Sequence, residues 1–319
     1  MSDVGTAGGQ PPSCSQPCTC SLWALSLWLE IDQTIEGFMA TQEKEILATA
    51  ENESTTDLAG LSPEQLLRFY RTMVTSRRVD DREISLKRQN KIFFQISGAG
   101  HEAIGVAVAE HCKSAHDWFF LYYRDRAMTL ALGQTPLDHL LQAVGAEADP
   151  ASGGRQMPAH YGDVRYNIAS TSSPTGTQFL QAVGAAEAGT KIAGVDGVRE
   201  LIDRFEDDEV VIVTTGDGTT SEGEFWESLN SACNLNLPVV YVVEDNGYAI
   251  SVPVAVQTAG GSISKLVSGF PGLHILECDG TDVVEAYRTA GEAIAYARER
   301  KGPALIHAHC TRPYSHSMS

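Results

Sequence analysis

Residues 210–248 read VVIVTTGDGTTSEGEFWESLNSACNLNLPVVYVVEDNGY. Two unbroken apolar runs, Val210–Thr215 and Pro238–Val243, flank a helical stretch at Glu224–Leu235. A continuous apolar run suits a strand buried on both faces, as parallel strands between helical layers are. Strand, helix and strand in succession imply right-handed crossovers in a layered sheet. The rest of the chain continues the pattern, with a long helix expected over Thr281–Arg300 and a strand over Ala304–Ala308. Upstream, Ser62-Pro63-Glu64 reads as a helix start, with Ser as cap and Pro at the first position. Leu66, Leu67, Tyr70, Met73 and Val74 keep helical spacing, and the helix is expected to end near Gln89. Residues 101–111 read as an Ala/Val-rich helix, and the aromatic run Asp117–Tyr123 as a strand. The fold class expected is α/β, a doubly wound, mostly parallel sheet flanked by helices.

The first strand ends in Gly216-Asp217-Gly218, and the second in Glu244-Asp245-Asn246-Gly247-Tyr248. Ligands of parallel sheets bind beyond the carboxyl ends of the strands, so these two loops should face one crevice. Asp217 offers a hard carboxylate and Asn246 a neutral carbonyl oxygen, the donors Mg²⁺ prefers. The glycines let backbone approach a diphosphate closely. The helix starting near Ser221-Glu222-Gly223 could turn its N-terminus toward the anion. A lone GDG is an ordinary strand-to-helix turn. It becomes informative because 26 residues, 219–244, separate it from Asp245-Asn246.

That spacing resembles the thiamine-diphosphate motif, with Asp245 where the motif has its first Asn and Asn246 at the metal-binding second. The wider text resembles the alpha subunit of thiamine-diphosphate-dependent 2-oxoacid dehydrogenases. Further blocks, in matching order, are similar to that family: SGAGHEAIGVA (97–107), Tyr122-Tyr123-Arg124-Asp125, and Thr311-Arg312-Pro313-Tyr314-Ser315-His316-Ser317. GGRQMPAHYG (153–162) and SSPTGTQ (172–178) resemble the branched-chain type more than the pyruvate type. The resemblance covers about 58–319. It implies the thiamine-diphosphate-binding fold, with Gly216, Asp217, Gly218 and Thr219 around the diphosphate. It places Mg²⁺ on Asp217, Asn246 and the backbone oxygen of Tyr248, and the diphosphate against Tyr123 and Arg124. Ser173 and Thr175 would meet the aminopyrimidine, with Thr175 standing where the family usually has Leu. Ser172, Pro174, Thr177 and Gln178 would supply oxygens to a K⁺ ion. His316 would be the catalytic histidine, beside diphosphate and substrate.

The same resemblance implies oxidative decarboxylation of a 2-oxo acid, a branched-chain one by type, with acyl transfer to a lipoyl transacylase. A beta-type subunit would complete the active site in an α2β2 assembly, supplying the glutamate that faces the aminopyrimidine. Other readings are a pyruvate or acetoin dehydrogenase alpha subunit, a truncated, non-catalytic partner-binding homologue, and a transketolase-like transferase. His307 and His309, two apart on one strand, share a face. They read as packing residues more readily than as a metal pair.

The chain has 319 residues, with 41 acidic and 23 basic side chains and a net charge of −18. That balance argues against nucleic acid or an anionic membrane surface as the main partner. No apolar run reaches the roughly 20 residues of a membrane span. Scattered cysteines without a secretory signal point to reduced thiols and a cytoplasmic protein. Residues 1–57 are expected to be a poorly structured extension, with Met39 as the true start, and 58–319 a cofactor-binding domain incomplete at its C-terminus.

Overall fold

The computed structural model describes residues 57–318 apart from 193, 199–200 and 202–206, together with 24–27, 29–30, 32–33, 35–37 and 39. Ser62 opens α1 (Pro63–Arg88) through a capping box. Its hydroxyl accepts from the Gln65 backbone N–H at 3.2 Å, and Gln65 Oε1 accepts from the Ser62 N–H at 3.0 Å. α2 (Glu102–His111), β1 (Trp118–Phe120), α3 (Arg126–Leu132) and α4 (Pro136–Ala143) follow. α5 (Thr177–Ile192) leads to β2 (Val211–Gly216), α6 (Gly223–Leu235) and β3 (Val239–Asp245). A small hairpin of β4 (Tyr248–Ala249) and β5 (Val252–Pro253) precedes α7 (Val254–Gln257) and α8 (Ile263–Leu266). β6 (His274–Asp279), α9 (Val283–Arg298) and β7 (Ala304–His309) complete the series.

The main sheet has the order β1-β2-β3-β7-β6, and every pair in it is parallel. Ile212, Val240, Val242 and Ile306 face one way, onto Ile104, Val108, Met128 and Ile294 of α2, α3 and α9. Val211, Val213, Tyr241 and Leu305 face the other, onto Phe179, Phe225, Leu229 and Ile263 of α5, α6 and α8. Both faces are buried, which is why the strand sequences show no alternation. The α6 and α9 crossovers lie on opposite faces, so the winding reverses between β3 and β7. The loops after β1, β2 and β3 gather beyond the carboxyl ends of those strands, where parallel sheets place their ligands.

The doubly wound parallel sheet is the fold expected, and the differences are local. The strand expected over Asp117–Tyr123 is confined to Trp118–Phe120. Tyr122 N–H is diverted from the ladder to Asp125 Oδ2 (2.7 Å) and Thr214 Oγ1 (2.9 Å), which turns the chain toward the crevice. β3 runs on through Glu244 and Asp245, so the loop after it is shorter than expected. β6 has no counterpart in the sequence reading, because an edge strand reading HILECD lacks a continuous apolar run. Most of the extension expected over 1–57 lies outside the described residues. Its described residues from Ala24 to Met39 are helical rather than unstructured. Ala24, Leu27, Ile35 and Met39 are buried in one cluster with Leu86, Ile92 and Leu140, which supplies the apolar contact a free tail lacks. Among the described residues no helix is long and apolar enough to cross a membrane.

Candidate active site

A cavity of about 240 Å³ opens at the carboxyl ends of β1, β2 and β3. Tyr123, Arg124, Thr175, Gly216, Asp217, Gly218, Thr219, Asn246, Tyr248 and His316 all line it. An adjoining cavity of about 160 Å³ shares Tyr123, Thr175, Thr219 and His316 and adds Ser172, Ser173 and Gln178. Pro174 and Thr177 border neither. Thr177 Oγ1 donates to the Pro174 carbonyl at 2.8 Å, and Gln178 Nε2 donates to the Thr214 carbonyl at 3.3 Å.

Asp217 is the first residue of a 3-10 turn, Asp217–Ser221, that separates β2 from α6. The chain therefore passes the cavity before α6 begins, and Glu222, at the α6 cap, lines the wall. The Glu222 carboxylate therefore stands at the helix N-terminus that the sequence turned toward an anion. Gly218 lies against the hairpin: a Cβ there would stand 2.8 Å from Ala249 Cβ. Only glycine fits this floor without displacing β4.

The Asp217 side chain is buried and accepts from its own N–H and that of Asn246. Burial, and then the nearby Asp245 carboxylate, push its pKa up to about 6. Asp217 Oδ2 and Asn246 Oδ1 are both buried without a hydrogen-bond partner. A chain of contacts beneath them explains how Asn246 is aimed. His101 is held neutral, its pKa lowered to about 3 by burial and then by the Arg124 charge. Its Nδ1–H donates to Glu244 Oε2 at 2.6 Å, which leaves Nε2 to accept from Asn246 Nδ2 at 3.2 Å. With its NH₂ group so engaged, Asn246 presents its carbonyl oxygen to the cavity. Burial raises Glu244 to about 7 and Asp125 well above the usual carboxylate range. The neighbouring Glu244 adds to the Asp125 shift, and both directions favour a protonated carboxyl over a second buried charge. Two unpartnered oxygens from a carboxylate and an amide form a donor set suited to a hard divalent cation, and the residues present fit Mg²⁺.

Arg124 is almost fully buried, not paired at the surface with its neighbour Asp125. Its Nη1 donates to the Ser97 carbonyl, and its Nη2 to His316 Nδ1 and the His316 carbonyl, each at 3.2 Å. Burial and the Arg124 and Arg312 charges lower the His316 pKa, which favours the neutral ring. Because Nδ1 accepts from Arg124, the proton sits on Nε2, free to be donated into the cavity. The Tyr123 ring meets His316 edge-on at 6.0 Å and lies under the Arg124 guanidinium at 5.1 Å. Arg312 Nη2 donates to the Ile250 carbonyl at 2.7 Å, and its Nη1 reaches the Tyr248 carbonyl at 3.5 Å.

Sequence reasoning missed several of these residues. Tyr122 stood in the quoted YYRD block and lines both cavities. His101 stood in the SGAGHEAIGVA block, but its role needs the tertiary approach of that loop to β3. Phe94, Ile96, Leu121, Met157 and His160 build the second cavity, and His160 Nε2 lies 2.7 Å from Ser173 Oγ. Their only signal was membership of the same motif blocks or proximity to them.

The dehydrogenase E1 component family matches residues 70–319. The chain is 38% identical over 259 residues to the 2-oxoisovalerate dehydrogenase subunit alpha of Bacillus subtilis (strain 168), covering 81% of this chain and 74% of that one. It is 37% identical over 264 residues to the 3-methyl-2-oxobutanoate dehydrogenase subunit alpha of Mycobacterium tuberculosis (strain ATCC 25618 / H37Rv), covering 82% and 63%. Against the mitochondrial 2-oxoisovalerate dehydrogenase subunit alpha of Mus musculus it is 34% identical over 260 residues and spans 55% of that protein. A solved transketolase from Campylobacter jejuni subsp. jejuni NCTC 11168 shares the fold, with a TM-score of 0.52, 17% identity, and coverage of 75% of this chain and 37% of that one. On the family match and these identities, the chain belongs to the dehydrogenase E1 component family.

Proposed function

We propose that this chain is the alpha-type subunit of a branched-chain 2-oxoacid dehydrogenase and holds Mg²⁺–thiamine diphosphate in the cavity above β2 and β3. The observation that carries the reading is the pair of orphaned oxygens, Asp217 Oδ2 and Asn246 Oδ1, in a glycine-floored cavity that also presents Arg124 and His316. Asp217, Asn246 and the Tyr248 carbonyl hold the metal. The backbone of Gly216, Gly218 and Thr219, with Tyr123 and Arg124, would hold the diphosphate. Arg124 suits phosphate oxygens because its planar fork donates twice. Ser173 and Thr175 face the aminopyrimidine. Ser172, Pro174, Thr177 and Gln178 hold K⁺, a role supported by the proximity of the Pro174 and Thr177 oxygens. When bound, thiamine diphosphate would supply the electron sink that decarboxylation of a 2-oxo acid needs. His316 Nε2–H would donate to a substrate carboxylate or keto oxygen in the cavity.

The branched-chain assignment draws on the names of the relatives and on the second cavity, whose Phe94, Ile96, Leu121 and Met157 suit an aliphatic side chain. The family resemblance implies that the glutamate facing the aminopyrimidine comes from a beta-type subunit. The rim supports such a partner, because Tyr248, Ile250, Val252 and Val256 are exposed together beside the opening. An α2β2 assembly with a lipoyl transacylase acceptor follows from the same reading. The test is decarboxylation by the chain co-expressed with its beta-type partner, with thiamine diphosphate, Mg²⁺ and an artificial electron acceptor. Turnover should favour 3-methyl-2-oxobutanoate over pyruvate and vanish in Asp217→Ala. A preference for pyruvate would overturn the substrate assignment, and no turnover by an assembled complex would overturn the catalytic one.

A further inference from the structure

A second cluster of metal-ligating side chains lies at the carboxyl end of the same sheet, on the face that carries α8. Asp245, His307 and His309 each offer one ligand atom, and these atoms lie within 4.8 Å of one another. The register explains why they meet. Asp245 of β3 pairs with His309 of β7, and His307 precedes His309 by two residues and so shares its face. The two imidazole rings are 4.4 Å apart. From the other side, β6 brings Glu277, whose Oε2 is 3.6 Å from His309 Nε2.

Counting donors shows which nitrogen of His307 faces the cluster. Ser264 Oγ gives its proton to Glu277 Oε1, and His307 Nδ1 stands 3.1 Å from the same Oγ. The hydroxyl has one proton, so His307 Nδ1 must be the donor in that contact. On a neutral ring, Nε2 is then a lone pair, and it points at Asp245 Oδ2 from 2.9 Å. A ring proton or a metal ion fits that contact, and the ring of His309, packed on His307 with the Glu277 carboxylate beside it, brings a second imidazole within reach of the same point.

We propose that Asp245, His307 and His309 form a binding site for a first-row divalent transition metal, zinc by preference, distinct from the Mg²⁺ site of the cofactor. Two imidazole nitrogens and a carboxylate oxygen are ligands zinc accepts, whereas Mg²⁺ favours oxygen alone. Four ligands at zinc's usual bond lengths stand about 3.4 Å apart. The half-exposed His309 has the freedom to close the remaining distance. Ser264 orients His307 from behind through its Nδ1–H, as outer-shell partners of metal-bound histidine do. Glu277 is placed to take the fourth position or to orient His309. The ion would tie β3, β6, β7 and α8 together one residue away from Asn246.

The test is equilibrium dialysis of the full-length chain against Co²⁺, then Zn²⁺, in excess Mg²⁺, with retained metal counted by mass spectrometry. We expect one equivalent of Co²⁺, with a visible spectrum of nitrogen and oxygen ligands and no thiolate charge-transfer band. The absence of that band separates this site from one formed by cysteines. His309→Ala changes a half-exposed side chain, and it should weaken retention by at least the roughly 10–100-fold that loss of an outer-shell partner costs. His307→Gln should weaken it as well, and Asp217→Asn should not. Failure to retain Co²⁺ over excess Mg²⁺, retention unchanged in His309→Ala, or a thiolate band on the bound ion would each overturn the proposal.

Discussion

Two clusters of buried charge in this molecule are finished in opposite ways. Beneath α1, Arg126 donates from Nη1 to Asp80 and from Nη2 to Glu83 at 2.6 Å. Asp80 also accepts from Ser97 Oγ at 2.7 Å and from Gly98 N–H at 3.0 Å. All three charged side chains are essentially inaccessible, and every carboxylate contact is met by a donor, although Arg126 Nε keeps no partner. At the end of β2 and β3, Asp217 is buried and Asn246 half-buried, yet each keeps a buried oxygen with no partner. A closed set of buried charges holds elements together. An open set keeps a desolvated acceptor ready for a cation, and in the unliganded chain that costs stability.

Removing one member of the closed set should have the largest effect. Arg126→Ala leaves Asp80 and Glu83 buried without their countercharge and should cost about 3–5 kcal/mol, read from the urea midpoint at constant slope. Burial already raises Glu83 to about 7, so a loss under about 1 kcal/mol would mean that proton uptake closes the gap and the cluster is not charge-driven. The open set should respond in the opposite direction. Asp217 is raised from 3.8 to about 6, and that shift corresponds to roughly 3 kcal/mol against folding once the group is ionised. The sign follows from the protonation states. Below about pH 4 the carboxyl is neutral whether folded or unfolded, and its contribution declines as pH rises through about 6. In the metal-free chain Asp217→Asn should therefore be the more stable form above pH 6, by up to about 3 kcal/mol. The gap should close below about pH 4. The same variant should lose Mg²⁺-dependent cofactor retention. Equal stability at pH 8 would show that Asp217 carries no unbalanced charge.

The two clusters were unequally legible in the sequence. β2 and β3 announce themselves because both faces are buried, and the loops after them carry glycines and oxygen ligands at a recognisable spacing. Asp217, Asn246, Arg124 and His316 all reach the cavity that reading assigned them. The closed cluster left no comparable trace. Asp80 and Glu83 stand three apart on a helix rich in arginine, a pattern that ordinarily marks a solvated face. Their partner is more than 40 residues away. The His101–Glu244–Asn246 relay was hidden for the same reason: its members come from distant loops, and the ring's tautomer is set only once the fold brings them together. β6 was missed because an edge strand needs no apolar run. The cut in β1 at Phe120 depends on Asp125 and Thr214 side chains capturing one backbone N–H.

Arg124 connects the two clusters, since it donates both to His316 at the cavity and to the Ser97 carbonyl at the edge of the closed set. Arg124→Ala should weaken thiamine diphosphate by about 1.5–3 kcal/mol, or roughly 10- to 150-fold in Kd by calorimetric titration. It should also free the His316 loop, because both of its contacts to Arg124 disappear together. If the Kd held and only KM for the oxo acid rose, Arg124 would belong to substrate and the diphosphate assignment would fall.

The smallest effect comes from Ser97, where the contrast is sharpest. Its hydroxyl donates to Asp80 and accepts from the Ala99 N–H at 3.0 Å, while its backbone carbonyl serves Arg124. Ser97→Ala removes a hydrogen bond to a charged acceptor and should cost about 1.5 kcal/mol of stability. The carbonyl remains, so cofactor affinity should not change. Stability lost with affinity intact would show that the closed set holds the loop and the cavity's donors bind the ligand, two roles separable within one residue. If affinity fell in step, the loop between Gln95 and His101 would move as one body with the cavity wall, and charge in the first cluster would be tuning the second.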